Sequence, residues 1–365
     1  MKVCVDATAL GSGRGGDETY VRALLAAMQV ERRPGDEYLA LVRPGAEAPS
    51  GFTSQPLRRG GGIRLVTEVP RVLRRLDSPW LYLGYTHAPI PCRLPYVLVV
   101  TDLSFRHHPE LYPRTARLRL NSLVGRQCRR ARGVITLTAF CRDDLIDAYG
   151  LDPGRVHAVP PAVRLPADDG PPVADDTPPP GRSVLYVGNL HPRKNVSTLI
   201  RAFAVLRGTP EYDDVTLVIA GAQWWGEGAE ARAAAELPGG SVRFLGRVSD
   251  VARDALIRRA NVLAYPSLFE GFGLPPLEAM AVGTPVLTTT SSAIPEVVGD
   301  AAILADPLDV DGMATGLRQL LDDEQLRAEL ARRGRKVAAS FNLRRTGLAL
   351  RAALEPAWAE IAGAR

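Results

Sequence analysis

Two glutamates, Glu270 and Glu278, stand on either side of the turn Gly271-Phe272-Gly273-Leu274-Pro275-Pro276. Pro275 and Pro276 suit a first helical turn, where a missing N–H costs nothing. Gly283 and Pro285 then stop the helix about two turns later. A helix N-terminus, with its free N–H groups and positive dipole end, takes an anion, and Gly271 and Gly273 let a phosphate come close to the backbone. Carboxylates beside a phosphate repel it, so Glu270 and Glu278 suit hydroxyl groups instead. A phosphate with hydroxyls on both sides is a nucleotide sugar. The plain alternative is an exposed loop with two solvated glutamates. Phe269, Phe272, Leu274 and Leu277 argue against it, being much apolar surface for an idle loop.

A second basic motif fits the same chemistry. Gly188-Asn189-Leu-His-Pro-Arg193-Lys194-Asn195 follows the apolar run Val184 to Val187 and precedes a helical pattern from Val196. Two cations at a strand's carboxyl end can neutralise a diphosphate without a metal, where negative charge grows as a leaving group departs. Of 45 basic residues only Lys2, Lys194 and Lys336 are lysine, which leaves 45 − 3 = 42 arginines. That skew points to a compositional bias in the encoding genome and not to nucleic-acid binding, and it singles out Lys194.

Other signals are weaker. The strand ends at Val218-Ile-Ala-Gly-Ala and Leu245-Gly-Arg-Val248-Ser-Asp250 carry small residues against which a flat base could lie, with its edge read near Val248. Gly11-Ser-Gly-Arg-Gly15-Gly16 follows the first strand and permits close approach of a phosphate or sugar. Thr101, Asp102, His107 and His108 follow the run Tyr96 to Val100 and are candidates for acid–base or acceptor contacts. Adjacent histidines point different ways and no third ligand stands near, so no metal site is read there. The Asp-Asp pairs at 143, 168, 175, 213 and 322 fall on helices, loops or the linker and read as solvated surface. Arg114, Arg117, Arg126, Arg129, Arg130 and Arg132 interleave with leucines. This reads first as an amphipathic core helix with solvated arginines, and it leaves contact with an anionic membrane or an acidic acceptor open.

These motifs need strands and helices to hold them. Val3 to Asp6, Tyr38 to Val42, Arg64 to Thr67, Tyr96 to Val100 and Val134 to Thr138 read as short strands buried on both faces, with helical patterns at Thr19–Met28 and Phe140–Tyr149. The segment from Pro160 to Gly181 is Pro-rich and acidic, a stiff linker by composition. The alternation restarts at Val184 and runs through strands near 215, 242, 261, 285 and 302, and the tail from Val310 is helical with Asn342 as a cap or break. The expectation is an α/β chain of two doubly wound domains facing across a cleft, with ligands at the carboxyl ends of the strands. The expected boundaries are 1–165, a linker at 166–182, a second domain at 183–342 and a last helix at 343–365.

At 365 residues two domains are expected, and 46% hydrophobic with 23% charged residues is ordinary for a globular protein. The net charge of +5 is modest. No run suits a membrane span, and the N-terminus runs straight into a strand, so no signal peptide is read. Cys4, Cys92, Cys128 and Cys141 form no paired motif, which favours reduced thiols in the cytosol.

Taken together, the chain resembles the family 4 retaining glycosyltransferases, which have the GT-B architecture of two Rossmann-like domains. Glu270 and Glu278 with Gly271-Phe-Gly-Leu-Pro, Val187-Gly-Asn-Leu-His-Pro-Arg-Lys-Asn195 and Glu278-Ala-Met-Ala-Val-Gly-Thr-Pro-Val286 carry the resemblance. It implies Glu270 at the transferred sugar's hydroxyls, Glu278 on the ribose, and Arg193 and Lys194 on the diphosphate with N–H groups from Phe272 to Leu274. It places Gly188 and Asn189 on the donor, Gly15 and Gly16 near donor phosphates and acceptor, and the last helix back on the first domain. Many relatives have His-Asp where this chain has Thr101-Asp102, so Thr101, His107 or His108 would contact the anomeric region. Asp17-Glu18 is a further departure, one that would bear on acceptor choice.

The implied activity is metal-independent hexosyl transfer from a GDP-, UDP- or dTDP-sugar to a hydroxylated acceptor, without a cofactor and without nucleic acid. The cytoplasm, or the inner face of its membrane, is the implied location. A phosphorylase or epimerase on the same architecture, or a non-catalytic nucleotide-sugar binder, are the alternatives. Base, sugar, acceptor and oligomeric state lie beyond the residues.

Overall fold

In the computed structural model, which describes residues 1–13, 15–58, 62–77, 79–165, 181–222 and 228–363, the chain divides into two units. One comprises 1–162 with 341–365, the other 163–340. Most of the segment read as a Pro-rich linker, 166–180, lies outside the described residues.

The apolar runs of the first unit become β1 (Lys2–Asp6), β2 (Glu37–Val42), β3 (Thr53–Pro56), β4 (Leu81–Tyr85), β5 (Tyr96–Val99), β6 (Gly133–Thr136) and β7 (Val156–Ala158). They form one parallel sheet in the order β3-β2-β1-β4-β5-β6-β7. Val3, Leu41, Leu83, Leu98 and Ile135 are fully buried, as strands covered on both faces require. The helix Leu343–Ala362 belongs to this unit and lies on the helix Gly15–Val30. Gly347 permits that close approach, since a Cβ there would meet the Ala27 carbonyl oxygen at 2.6 Å. Arg351 of the last helix reaches the buried Asp36, which also holds the N-terminal ammonium.

The second unit repeats the plan with β8 (Ser183–Val187), β9 (Thr216–Ala220), β10 (Val242–Gly246), β11 (Val262–Ala264), β12 (Val286–Thr289) and β13 (Ile303–Ala305). Its parallel order is β10-β9-β8-β11-β12-β13. The order reverses between β8 and β11, so ligands are expected at the carboxyl ends of those two strands. Both motifs singled out above, the 188–195 loop and the 265–273 loop, leave the sheet there.

Several readings of the sequence change. Arg64 to Thr67 is not a strand: Ile63–Val66 forms a helical turn, with Ile63 and Val66 largely exposed. A four-residue apolar run has no period long enough to separate the two forms. The strands β3, β4 and β7 give no clear signal in the sequence, because Thr-Ser-Gln-Pro and Val-His-Ala are short and largely polar and Leu-Tyr-Leu-Gly-Tyr breaks its aliphatic run with a glycine and two tyrosines. Gly15 and Gly16 sit in the first turn of the helix Gly15–Val30, not in a loop before it. The tail breaks twice, into helices Val310–Asp322, Glu324–Ala339 and Leu343–Ala362, with Asn342 capping the third through a 3.0 Å bond from the Arg345 N–H.

Candidate active site

The loop after β11 is built to hold one carboxylate. Gly273 adopts φ +95° as the residue before the helix Leu274–Val282, and a Cβ there would lie 2.6 Å from Ile294 Cδ1. Pro275 and Pro276 occupy the first turn, and Gly283 ends the helix at φ +89°. Phe269 and Phe272 are buried and anchor the loop in the core. Thr288 and Thr289 of β12 donate to the carbonyls of Tyr265 and Ser267, each at 2.9 Å. Pinned this way, Glu270 is 6% exposed.

Lys194 Nζ lies 2.6 Å from Glu270 Oε1, and Arg193 Nη1 lies 3.2 Å from Oε2. Arg193 also donates to the Phe269 carbonyl at 2.6 Å, while the Leu268 N–H returns a 2.9 Å bond to the Arg193 carbonyl. Tyr265 completes the cluster: its hydroxyl accepts from Lys194 at 2.7 Å and donates to Glu270 at 3.1 Å. Tyr186 stacks on Tyr265, with ring centroids 6.2 Å apart. Burial alone would raise the Glu270 carboxyl, but the charges of Lys194 and Arg193 and the Lys194 hydrogen bond outweigh it and hold the pKa at about 2. Glu270 is therefore ionised throughout the neutral range, and with two cations against one anion the cluster carries a net positive charge.

The loop after β8 is held just as firmly. Gly188 has φ +150°, and a Cβ there would strike the Tyr186 hydroxyl at 2.8 Å. That hydroxyl donates to the Asn189 carbonyl at 2.8 Å. The Asn189 Oδ1 is buried with no hydrogen-bond partner among the described residues. Asn195 takes the left-handed conformation, φ +56°, and its amide bridges the carbonyls of Pro266 at 3.1 Å and Pro307 at 2.7 Å. The small residue at the end of β9 has a different job from the one read in the sequence. An ideal Cβ on Gly221 would fall 1.6 Å from the Gly188 carbonyl oxygen, so the 188 loop, and not a base, fills that space.

Glu278 lies on the helix Leu274–Val282 and is 2% exposed. Its Oε1 is 3.5 Å from Arg253 Nη2, and Arg253 is 3.5 Å from the buried Asp254, which Arg164 also pairs. Burial pushes the Glu278 carboxyl above its usual range, Asp254 and Asp250 add like charge, and Arg253 and Arg164 offset this only in part. Val248 is half-buried between β10 and the helix Asp250–Arg259.

In the first unit the candidates are more dispersed. Gly15 and Gly16 are exposed, and a Cβ on either would have open space for 4 Å around it. Asp17 and Glu18 have structural partners: Tyr85 donates to Asp17 at 2.7 Å, and Glu18 accepts from the N–H groups of Gly11 at 3.1 Å and Gly13 at 3.0 Å. Thr101 is half-buried after β5. Asp102 accepts from the Ser104 N–H at 2.9 Å and from its hydroxyl, which organises the helical turn Ser104–His107. His107 Nε2 lies 2.8 Å from Asp144, and His108 Nδ1 lies 3.2 Å from Glu110. No group of three or more His, Cys, Asp or Glu that could hold a metal occurs among the described residues.

Residues missed in the sequence include Tyr265, Tyr186, Ser292 and Arg253. Ser292, at φ +53°, accepts from the Glu270 N–H at 2.8 Å. The tyrosines read as ordinary strand residues, and Ser292 sits in a polar Thr-Ser run with no signal of its own. Arg253 is one arginine among 42.

Comparison with known proteins fits this geometry. A family model described as Glycosyltransferase Family 4 matches residues 14–167, and one described as Glycosyl transferases group 1 matches residues 176–337. The chain is 30% identical over 296 residues to the O-antigen chain mannosyltransferase B of Escherichia coli, covering 76% of this chain and 77% of that one. It is 35% identical over 200 residues to a phosphatidyl-myo-inositol mannosyltransferase of Mycolicibacterium smegmatis, a match covering 54% of this chain and 50% of that protein. Among solved structures, the sucrose-phosphate synthase of Thermosynechococcus elongatus superposes with a TM-score of 0.76 at 20% identity over 99% of this chain and 100% of that one. The Anabaena protein HepE, solved in complex with UDP-glucose, gives 0.72 at 18% identity, over 97% and 99% of the two chains.

Proposed function

The chain belongs to glycosyltransferase family 4, and from that premise we propose that it transfers a hexosyl group from a nucleoside diphosphate sugar to an acceptor hydroxyl, with retention at the anomeric carbon and without a metal. The Arg193–Lys194–Glu270 cluster carries this reading, since it places net positive charge at the switch point of the second sheet, beside a glycine-opened helix N-terminus.

Arg193, Lys194 and the N–H groups from Phe272 to Leu274 take the diphosphate. They stabilise it as the bond from C1 to the phosphate oxygen breaks. The acceptor oxygen attacks C1 from the same face, and its proton passes to the departing phosphate oxygen. Glu270, ionised and fixed, orients sugar hydroxyls and stabilises positive charge on the ring carbon. Glu278 accepts from the ribose hydroxyls, and Gly188 and Asn189 border the donor. Two relatives are named as mannosyltransferases, which favours mannose as the hexose. Among the described residues no helix is long and apolar enough to cross a membrane. The helix Arg114–Arg130 has no acidic residue, which supports a cytoplasmic enzyme that touches an anionic membrane surface through this helix.

The first test is thermal shift of the purified protein with GDP, UDP and dTDP, with magnesium and with a chelator. One nucleotide should stabilise the protein in both conditions, by about 2.7 kcal/mol at a hundred times its Kd. No shift with any of the three rejects the donor site. Product NMR should then show the donor's anomeric configuration kept, and inversion would overturn the front-face mechanism.

A further inference from the structure

A cavity of about 650 Å³ opens in the first unit at the carboxyl ends of β1, β2 and β3, and four arginines, Arg22, Arg43, Arg58 and Arg64, line it against one carboxylate, Glu47. The four are not equivalent. Arg22 is paired with Glu18 at 2.7 Å, and Arg64 lies 3.4 Å from Asp6. Arg43 donates Nε to the Thr8 carbonyl at 2.6 Å, which fixes the guanidinium plane and leaves both terminal nitrogens available to the cavity. Arg58 is exposed on the rim. Among the described residues neither Arg43 nor Arg58 has an ion-pair partner.

Like charges gathered on one concave wall repel, and a low-dielectric wall strengthens that repulsion. The arrangement becomes favourable when an anion enters. Guanidinium forks match phosphate oxygens in paired hydrogen bonds, which a single carboxylate could not share among several arginines as well. The volume is that of a small-molecule site, and the carboxyl ends of parallel strands are where doubly wound sheets bind ligands. Leu10 and Leu57, both nearly buried, add an apolar patch suited to the C–H face of a sugar ring.

We propose that this cavity binds the phosphate of a phosphorylated, sugar-sized substrate, held chiefly by Arg43 and Arg58. Calling that substrate the acceptor rests on the function proposed above, whereas the anion site stands on the cavity alone. The phosphate belongs either to a free sugar phosphate or to a lipid headgroup.

The test measures binding by calorimetry to the full chain, with the diphosphate site of the second unit saturated by whichever nucleoside diphosphate gave the largest thermal shift, or blocked by Lys194→Ala if none did. The probes are glucose 6-phosphate, glucose, and phosphatidylcholine vesicles with and without phosphatidylinositol. Glucose 6-phosphate should bind where glucose does not, and Arg58→Ala and Arg43→Ala should each weaken it about tenfold or more, the worth of a charge-assisted hydrogen bond. Binding only to phosphatidylinositol vesicles, with the same loss in both variants, assigns the phosphate to a lipid. Arg58 is exposed, so Arg58→Glu tests the site without disturbing the core, and an unchanged urea-unfolding transition in that variant shows that it has folded. Equal binding of glucose and glucose 6-phosphate, no binding of any phosphate probe, or wild-type phosphate affinity in both arginine variants overturns the proposal. The nucleotide shift reads the transferase reading separately.

Discussion

At the scale of single residues, Glu270 behaves unlike an ordinary glutamate because its neighbours, not its solvent, set its charge. Lys194→Ala leaves Glu270 paired with Arg193 alone and takes a donor from the Tyr265 hydroxyl. It should lower stability by about 1.5–3 kcal/mol in urea unfolding, the worth of a charge-assisted hydrogen bond, and abolish most transfer in a turnover assay. The pH dependence follows from the sign. A carboxyl held at about 2, below its unfolded value, stabilises fully above the ordinary carboxylate range and loses this as pH falls through 2. With Lys194 gone, burial wins ground, the folded pKa rises, and acid unfolding followed by tryptophan fluorescence should begin at a higher pH than in the wild type. An unmoved acid transition would mean that Lys194 does not hold the charge. Glu270→Gln keeps the shape and removes the charge, so it should fold and lose turnover.

At the scale of elements, two loops and two helices position these groups. Asn195 joins the β8 and β11 loops through its amide while occupying a left-handed backbone position. Asn195→Gly keeps the backbone freedom and loses the bonds to two buried carbonyls, so we expect about 2–4 kcal/mol of destabilisation by chemical denaturation. A change below about 1 kcal/mol would show that the loops hold without it. Gly221→Ala should be worse, since its Cβ would overlap the Gly188 carbonyl oxygen and only backbone movement could relieve that. Loss of nucleotide binding in a protein that still folds its first sheet, by hydrogen exchange, is the expected outcome. Between the helices Asp250–Arg259 and Leu274–Val282, Arg253 opposes the upward push on Glu278. If Glu278 binds ribose as a carboxylate, nucleotide affinity should fall on acidification earlier than an ordinary glutamate would dictate. Arg253→Ala should then move that fall to higher pH, and identical affinity profiles for variant and wild type would remove Glu278 from the donor site.

At the scale of the whole molecule, two parallel sheets of like plan carry different side chains at their strand ends. Nucleoside diphosphate should raise hydrogen-exchange protection most at 188–195 and 265–273, the two loops at the second sheet's switch point. Protection centred instead on β1 to β3 would exchange the roles of the units. The plan itself is legible in the sequence, since runs such as Val184 to Val187 are aliphatic without alternation, and only a strand covered on both faces can bury them. Arg64 to Thr67 misleads because four residues cannot show a period, and Gly15 and Gly16 because a helix start and a glycine loop look alike.

The sequence by itself determined the α/β plan, the helix opened by Gly273 and stopped by Gly283, and the candidates Arg193, Lys194, Glu270 and Glu278. Each depends on local chemistry: a proline at a first turn, a glycine at a positive φ, a lysine scarce among arginines. Only the tertiary structure decided that Tyr265, Tyr186 and Ser292 hold Glu270, and that Gly221 serves the Gly188 loop. It alone took His107 and His108 to carboxylates on the first unit and gathered four arginines, Arg22 to Arg64 in the chain, around one cavity. Those outcomes depend on which strand ends lie side by side. Strand order is fixed by long-range packing of apolar faces, and no local run of residues encodes it.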